Sequence, residues 1–320
     1  MASIHAKYRH ALPQQGKKLF LTDAGLETCL VFLDKIDLPH FAAFDLLKTD
    51  EGFARLRDYY ASFAALARDK RYGFVLESPT WRANPDWAAK LGYARAELDA
   101  VNRRSIVLME EVRAAYETPD SPMVISGCVG PRGDGYDPSH RMTTEEAEAY
   151  HAGQIATFRD SAADMVSAIT MNYVEEAIGI ARAARAAEMP VVISFTTETD
   201  GKLPTGETLQ EAIAAVDTAT GNAPAYYMIN CAHPTHFEAA LEEPWVRRIA
   251  GIRANASRRS HAELDSSPDL DAGDPVELGR QYRTLQHRFG CFNVLGGCCG
   301  TDFRHIEQIA FACEETASGT

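Results

Sequence analysis

Pro190-Val191-Val192-Ile193-Ser194-Phe195-Thr196 is the segment from which the fold can be read. A β-branched and aromatic run, bounded by proline and short enough to be a strand, reads as a buried strand over Val191 to Phe195. Before it, Val174, Ala177, Ile178 and Ala181 recur at helical spacing, and after it Leu209, Ile213 and Val216 do the same. A strand with a helix on each side is the repeating unit of a parallel sheet. The alternation continues outward in both directions. Towards the N-terminus it meets Met165 to Ile169, Val124 to Ser126 ending at Gly127, Phe74 to Glu77, and Leu19 to Thr22 ending at Asp23. Towards the C-terminus it meets Tyr226 to Ile229 before Asn230-Cys231, Ile249 to Ile252 broken by Gly251, and Phe292 to Leu295 before Gly296-Gly297. Thr143-Thr144-Glu145-Glu146 has the form of an N-cap with early acids and predicts a helix to about Ala163. Asp302 is placed to cap a last helix, with Ile306, Ile309 and Phe311 or Cys313 on its apolar face.

Eight such strands alternating with helices predict an α/β chain forming one (β/α)8 TIM barrel, a single domain over residues 1–320 with its core from about 19 to 314. A doubly wound sheet is the alternative. The barrel accounts better for Asp23, Glu77, Cys231 and Cys298, which all fall just past strand C-termini, where barrels carry their active sites. The polar stretch Ser257 to Pro275 reads as a long surface loop after the seventh strand.

The formal net charge of -13 argues against binding nucleic acid or an anionic membrane. No run of about 20 apolar residues is present to span a bilayer. Met1 to Gln15 lacks the apolar centre of a signal peptide. The expectation is a cytoplasmic protein acting on small molecules; a homo-oligomer stays open. In that compartment the seven cysteines are not expected to build a disulfide framework, and clustered ones point to metal binding or chemistry.

Clustering is found at Leu295-Gly296-Gly297-Cys298-Cys299-Gly300-Thr301. Flanking glycines permit the backbone angles that would let two adjacent thiols converge. Cys231 follows the sixth strand, so a barrel would bring all three sulfurs to one face. Three thiolates with one open position form the ligand pattern of catalytic zinc, and soft sulfur donors prefer zinc to magnesium or manganese. The residues alone leave redox chemistry and plain packing as alternatives. Cys29, Cys128, Cys291 and Cys313 have no such surroundings, and Cys291 and Cys313 read as core.

At Asn230-Cys231 and Gly296-Gly297-Cys298-Cys299-Gly300-Thr301 the sequence resembles the zinc-dependent homocysteine S-methyltransferases, over about Leu19 to Glu314. Weaker matches are Asp23-Ala24-Gly25, Pro79-Thr80-Trp81-Arg82-Ala83, Gly127-Cys128-Val129-Gly130-Pro131, Ser194-Phe195-Thr196 and Asn255. The resemblance implies Cys231, Cys298 and Cys299 as ligands of Zn2+, no catalytic group beyond the metal site, and Asp23, Thr80, Trp81, Asn230 and Asn255 as substrate-binding residues; Glu77, at the end of the second strand, is added to these as a stand-in acid. It implies methyl transfer to a thiol such as homocysteine, a step of methionine biosynthesis.

One position departs from the pattern. Where the family usually has a glutamate for the ammonium of homocysteine, this chain has Ile169. Either Glu77 replaces it or the acceptor is another thiol, and demethylation of a sulfonium compound is a related alternative. A non-catalytic zinc or redox-sensing protein is the third. The chain has no length for cobalamin or folate modules beside the barrel, so the expected donor is a small sulfonium or quaternary ammonium compound. Trp81, Trp87 or Tyr136 would face that cation.

Overall fold

The computed structural model describes residues 6–267 and 269–314. Eight parallel strands close into a barrel in sequence order. They are β1 (Phe20–Leu21), β2 (Gly73–Glu77), β3 (Met123–Val129), β4 (Met165–Met171), β5 (Val191–Phe195), β6 (Pro224–Asn230), β7 (Ile249–Ala254) and β8 (Val294–Gly297). Closure is made by β1 against β8, with Phe20 opposite Val294 and Leu21 opposite Leu295. The doubly wound alternative is excluded by that pairing.

Seven long helices form the outer ring: α1 (Asp50–Lys70), α2 (Arg95–Tyr116), α3 (Thr144–Arg159), α4 (Val174–Ala186), α5 (Leu209–Thr220), α6 (Pro275–Phe289) and α7 (Phe303–Ala312). The sixth unit has only the short helix Pro234–Phe237 and 3-10 turns in place of a long helix. The Ser257 to Pro275 stretch carries a short helix of its own, His261–Asp265, capped by Ser260. The Thr143 side chain caps α3 as expected. That helix stops at Arg159, short of Ala163, and just beyond it buried Asp164 accepts from Ile125 N at 2.8 Å and Arg113 Nη1 at 2.9 Å. Asp302 caps α7 by accepting from Arg304 N. On that helix Phe311 is exposed and Cys313 buried, which settles which of the two joins the apolar face.

Side chains alternate across a strand, so every second residue points into the barrel. Phe20, Val75, Val124, Met165, Val192, Tyr226, Met228 and Val294 pack there as a small inner core, with Leu12 and Tyr8 from the N-terminal segment against it. The larger core lies between strands and helices. Counting on by two from the inner core gives Glu77, Ser126, Cys128, Ser167, Ile169, Ser194 and Asn230, and in β7 the inward Gly251, where a Cβ would meet the Met228 side chain, leads to Arg253. The barrel interior therefore turns polar towards its C-terminal end. Among the described residues no helix is long and apolar enough to cross a membrane.

Candidate active site

The Sγ atoms of Cys231, Cys298 and Cys299 lie within 4.8 Å of one another. Hydrogen bonds between neighbouring strand ends hold them there. Cys231 N donates to Arg253 O at 3.1 Å and Cys298 N to Ala254 O at 2.9 Å. Asn255 Nδ2 donates to Cys231 O at 3.0 Å, and Thr301 Oγ1 to Cys298 O at 2.7 Å. Tyr282 of α6 ties the two strands together, accepting from Ala254 N and donating to Gly296 O. A side chain at Gly25 would put its Cβ 2.5 Å from Cys298 O, and Gly300 has φ 79, so both glycines are needed for this backbone. Cys231 and Thr170 also adopt left-handed backbone, at φ 54 and φ 67, without being glycine. Such conformations cost roughly 1–3 kcal/mol each and persist where the surroundings over-determine them.

The sulfurs of Cys231 and Cys298 stand in direct contact, with the Cα atoms 5.4 Å apart. With Cys299 they form a set that offers three thiolates. Cys29 is buried with its sulfur directed at Thr301 O, outside the cluster. Cys291 is only half-buried, whereas Cys128, given no role from sequence, lines the cavity.

The three cysteines line a cavity of about 220 Å³ at the C-terminal end of the barrel. Pockets for drug-sized ligands run to roughly 300–1,000 Å³, so this one suits small metabolites. Of the residues expected to bind substrate, Asp23, Glu77 and Trp81 line it. Thr80, Asn230 and Asn255 stand behind its wall. Thr80 Oγ1 donates to Cys128 O, and Asn230 accepts from Thr170 N and Ser194 Oγ while donating to Thr170 Oγ1. They position the lining residues. Asn230 Nδ2 also lies 4.0 Å from Cys298 Sγ, within the range of an N–H donor to sulfur.

Arg253 at the cavity floor was not expected. Its Nη2 meets Asp23 Oδ1 at 2.7 Å, its Nη1 lies 3.8 Å from Glu77 Oε2, and its Nε donates to Gly297 O at 3.2 Å. Asp23 also accepts from Tyr59 Oη at 3.3 Å. The Asp23 carboxylate is therefore engaged, contrary to the expectation that it is free for substrate. Burial raises its pKa while Arg253 opposes the rise. Burial pushes Glu77 up to about 7 and does the same to Glu27 on the cavity wall. Glu77 Oε1 is buried without a partner among the described residues. A charged residue inside an otherwise apolar strand was the available signal for Arg253, because a buried cation requires acids around it.

The aromatic expectations fare differently. The Arg82 guanidinium sits 4.6 Å from the Trp81 ring centroid and 3.7 Å from that of Trp87, and Lys90 Nζ lies 3.7 Å from the Trp87 ring. Tyr136 stacks on His261 at 3.9 Å, its hydroxyl 3.8 Å from Cys299 Sγ. Both tryptophans thus already carry cations of this chain on their rings, while Trp81 and Tyr136 line the cavity.

A model of the family described as homocysteine S-methyltransferase matches residues 20–313. The methionine synthase of Mycobacterium leprae (strain TN) is 26% identical over 235 residues, 69% of this chain and 18% of that protein. The chain thus spans under a fifth of that curated relative's length. Among solved structures, the metallated form of the homocysteine methyltransferase MmuM from Escherichia coli superposes with TM-score 0.68 at 18% identity, covering 95% of this chain and 98% of that one. Its oxidised form gives TM-score 0.70 at 18% identity, covering 93% and 97%. These likenesses show the barrel fold, and the match of the family model along nearly the whole sequence shows that the chain belongs to the homocysteine S-methyltransferase family of methyltransferases.

Proposed function

We propose that this protein is a zinc-dependent S-methyltransferase that moves a methyl group from a small onium donor to the thiol of homocysteine. The observation that carries the proposal is the convergence of three cysteine sulfurs within 4.8 Å on the wall of a small-molecule cavity. Three soft donors at one point fit zinc with a position left for substrate. Zinc bound there would hold the acceptor sulfur as thiolate near neutral pH, where a free thiol with pKa about 8.5 is mostly protonated. A reducing cytoplasm keeps all three cysteines available.

The rest is done by the chain. Glu77 accepts the acceptor's ammonium through its unpartnered Oε1, the role that Ile169 cannot fill. Arg253 neutralises Asp23, so the floor does not repel the substrate carboxylate as two bare acids would. In the transfer step the acceptor sulfur's electron pair forms the new sulfur–carbon bond. The bond from donor heteroatom to methyl breaks with its pair left on that heteroatom. No proton moves in this step, so alignment of the reactants is the main requirement.

Ile169 on the cavity wall favours a second reading, an acceptor thiol without an amine. Methyl transfer to homocysteine and to an amine-free thiol of similar length, with several onium donors, separates the two. Metal content separates both from a redox-sensing role. About one zinc per chain is expected, with loss on replacing Cys231, Cys298 or Cys299 by Ala, because two thiolates hold the ion poorly. Full zinc in the Cys298→Ala protein would sink the proposal.

A further inference from the structure

We infer that Arg82 is a specificity residue that receives a carboxylate of the methyl donor, so that the donor is a zwitterion. The inference rests on the methyltransferase reading above and extends it to the donor. Arg82 lines the cavity. Its Nε is buried with no hydrogen-bond partner among the described residues. Asp134 and Glu27 act on it only at longer range. Arginine keeps its charge in proteins, and burying one of its donors unmatched is costly.

The surroundings leave one direction for a ligand. Trp81 and Trp87 lie over the guanidinium at 4.6 and 3.7 Å from their ring centroids. Both indoles are anchored, Trp81 Nε1 to Ile169 O at 3.1 Å and Trp87 Nε1 to Gly133 O at 3.3 Å. With aromatic rings against the guanidinium, what remains is its edge, where the N–H groups point. That edge matches the two oxygens of a carboxylate. A bare cation beside the cavity would also repel an onium donor, and a carboxylate on the donor removes the repulsion.

Depth assigns the carboxylate to the donor. Asp23, Glu77 and Arg253, at 2%, 5% and 7% exposure, form the floor where the acceptor's head group sits. Arg82 and Trp81 are only half-buried and mark the mouth.

The test uses zinc-loaded enzyme, the variants Arg82→Gln and Arg82→Lys, and two sulfonium donors, dimethylsulfoniopropionate and the carboxylate-free trimethylsulfonium. Acceptors are homocysteine and its carboxylate-free counterpart, mercaptopropylamine. Arg82→Gln should raise KM for dimethylsulfoniopropionate by about ten- to a hundredfold, the worth of a charge-assisted hydrogen bond. KM for homocysteine should change less than about twofold, KM for trimethylsulfonium should hold or fall because the variant removes a repelling cation, and Arg82→Lys should recover part of the loss with dimethylsulfoniopropionate. Equal losses with both sulfonium donors would mean that Arg82 only packs the tryptophans, and would overturn the inference. A rise in KM for homocysteine that is absent with mercaptopropylamine would give the carboxylate to the acceptor and overturn it too. Tryptophan fluorescence, titrated with dimethylsulfoniopropionate without turnover, reads the site directly. A saturable change in wild type that is lost in Arg82→Gln supports the carboxylate site even if no methyl transfer is found and the proposed function fails. No saturable change in wild type overturns the inference.

Discussion

Replacing Arg253 by Met should destabilise the protein in a way that depends on pH. Among the described residues Arg253 is the cation that meets both floor acids, at 2.7 Å from Asp23 and 3.8 Å from Glu77. Methionine keeps much of the side-chain length and removes the charge. Taking one partner from a buried ion pair costs about 3–5 kcal/mol, because the other is left buried and uncompensated. Unfolding entropy of about 2.1 cal/mol/K per residue over 320 residues gives about 0.7 kcal/mol/K, so the midpoint should fall by roughly 4–7 °C at pH 8. Burial already raises both acids and Arg253 opposes the rise, so without it they take up protons more readily. At pH 5.5 a protonated floor carries little uncompensated charge, and the gap between variant and wild type should shrink. Asp23→Asn in the Arg253→Met background should recover a good part of the loss at pH 8. Scanning calorimetry of the zinc-loaded proteins at the two pH values is the assay. An equal drop at both, with no recovery in the double variant, would refute the charge argument and leave Arg253 as a packing residue.

Glu77→Gln should raise KM for homocysteine by about ten- to a hundredfold and barely affect an amine-free thiol. Because burial pushes the Glu77 carboxyl up to about 7, wild-type affinity for homocysteine should weaken as pH falls through 7, and Glu77→Gln should flatten that dependence in a kcat/KM profile. Ile169→Glu, which restores the family's usual acid on the cavity wall, should strengthen homocysteine binding and lower kcat/KM with the amine-free thiol. Efficient homocysteine methylation that is indifferent to both substitutions would show that the ammonium is held elsewhere.

The strands were legible wherever their inner and outer faces are both apolar. Val191–Phe195 is found as expected. In β3, β4 and β6 the apolar run stops early while the strand continues through Cys128, Thr170 and Asn230. Polar inner residues end a hydrophobic pattern without ending a hydrogen-bonded ladder, and in a barrel they lie at the functional end. Arg253 was lost for the same reason, in a strand whose reading was weakened by Gly251. The cysteine cluster was readable because glycines on both sides of Cys298-Cys299 free the backbone to turn two adjacent thiols towards one point. The roles of Asn230 and Asn255 were not, since strand-end position does not say whether an amide faces the cavity or braces the wall. Nor does spacing reveal that Arg82 lies against the rings of its neighbour Trp81 and of Trp87.

These last contacts decide how the two substrates are told apart. An onium donor needs negative charge or an open aromatic face, and Trp81 and Trp87 already carry Arg82 and Lys90. The cavity's own acids are Asp23, Glu27, Glu77 and Asp134, against Arg82 and Arg253. Asp23 is spent on Arg253, and Glu77 and Glu27 are both pushed up to about 7 by burial. Glu77 and Glu27 are therefore only partly ionised near neutral pH, and a ligand cation beside either one favours its charged form. An ammonium beside Glu77 does that at the floor, and a carboxylate beside Arg82 offsets the cation at the mouth. On the proposed reading, a site built this way would favour two zwitterions over a bare cation and a bare thiol. Each brings the charge its end of the cavity lacks, and the reacting sulfur and methyl group are left to meet between them, beside the three cysteines.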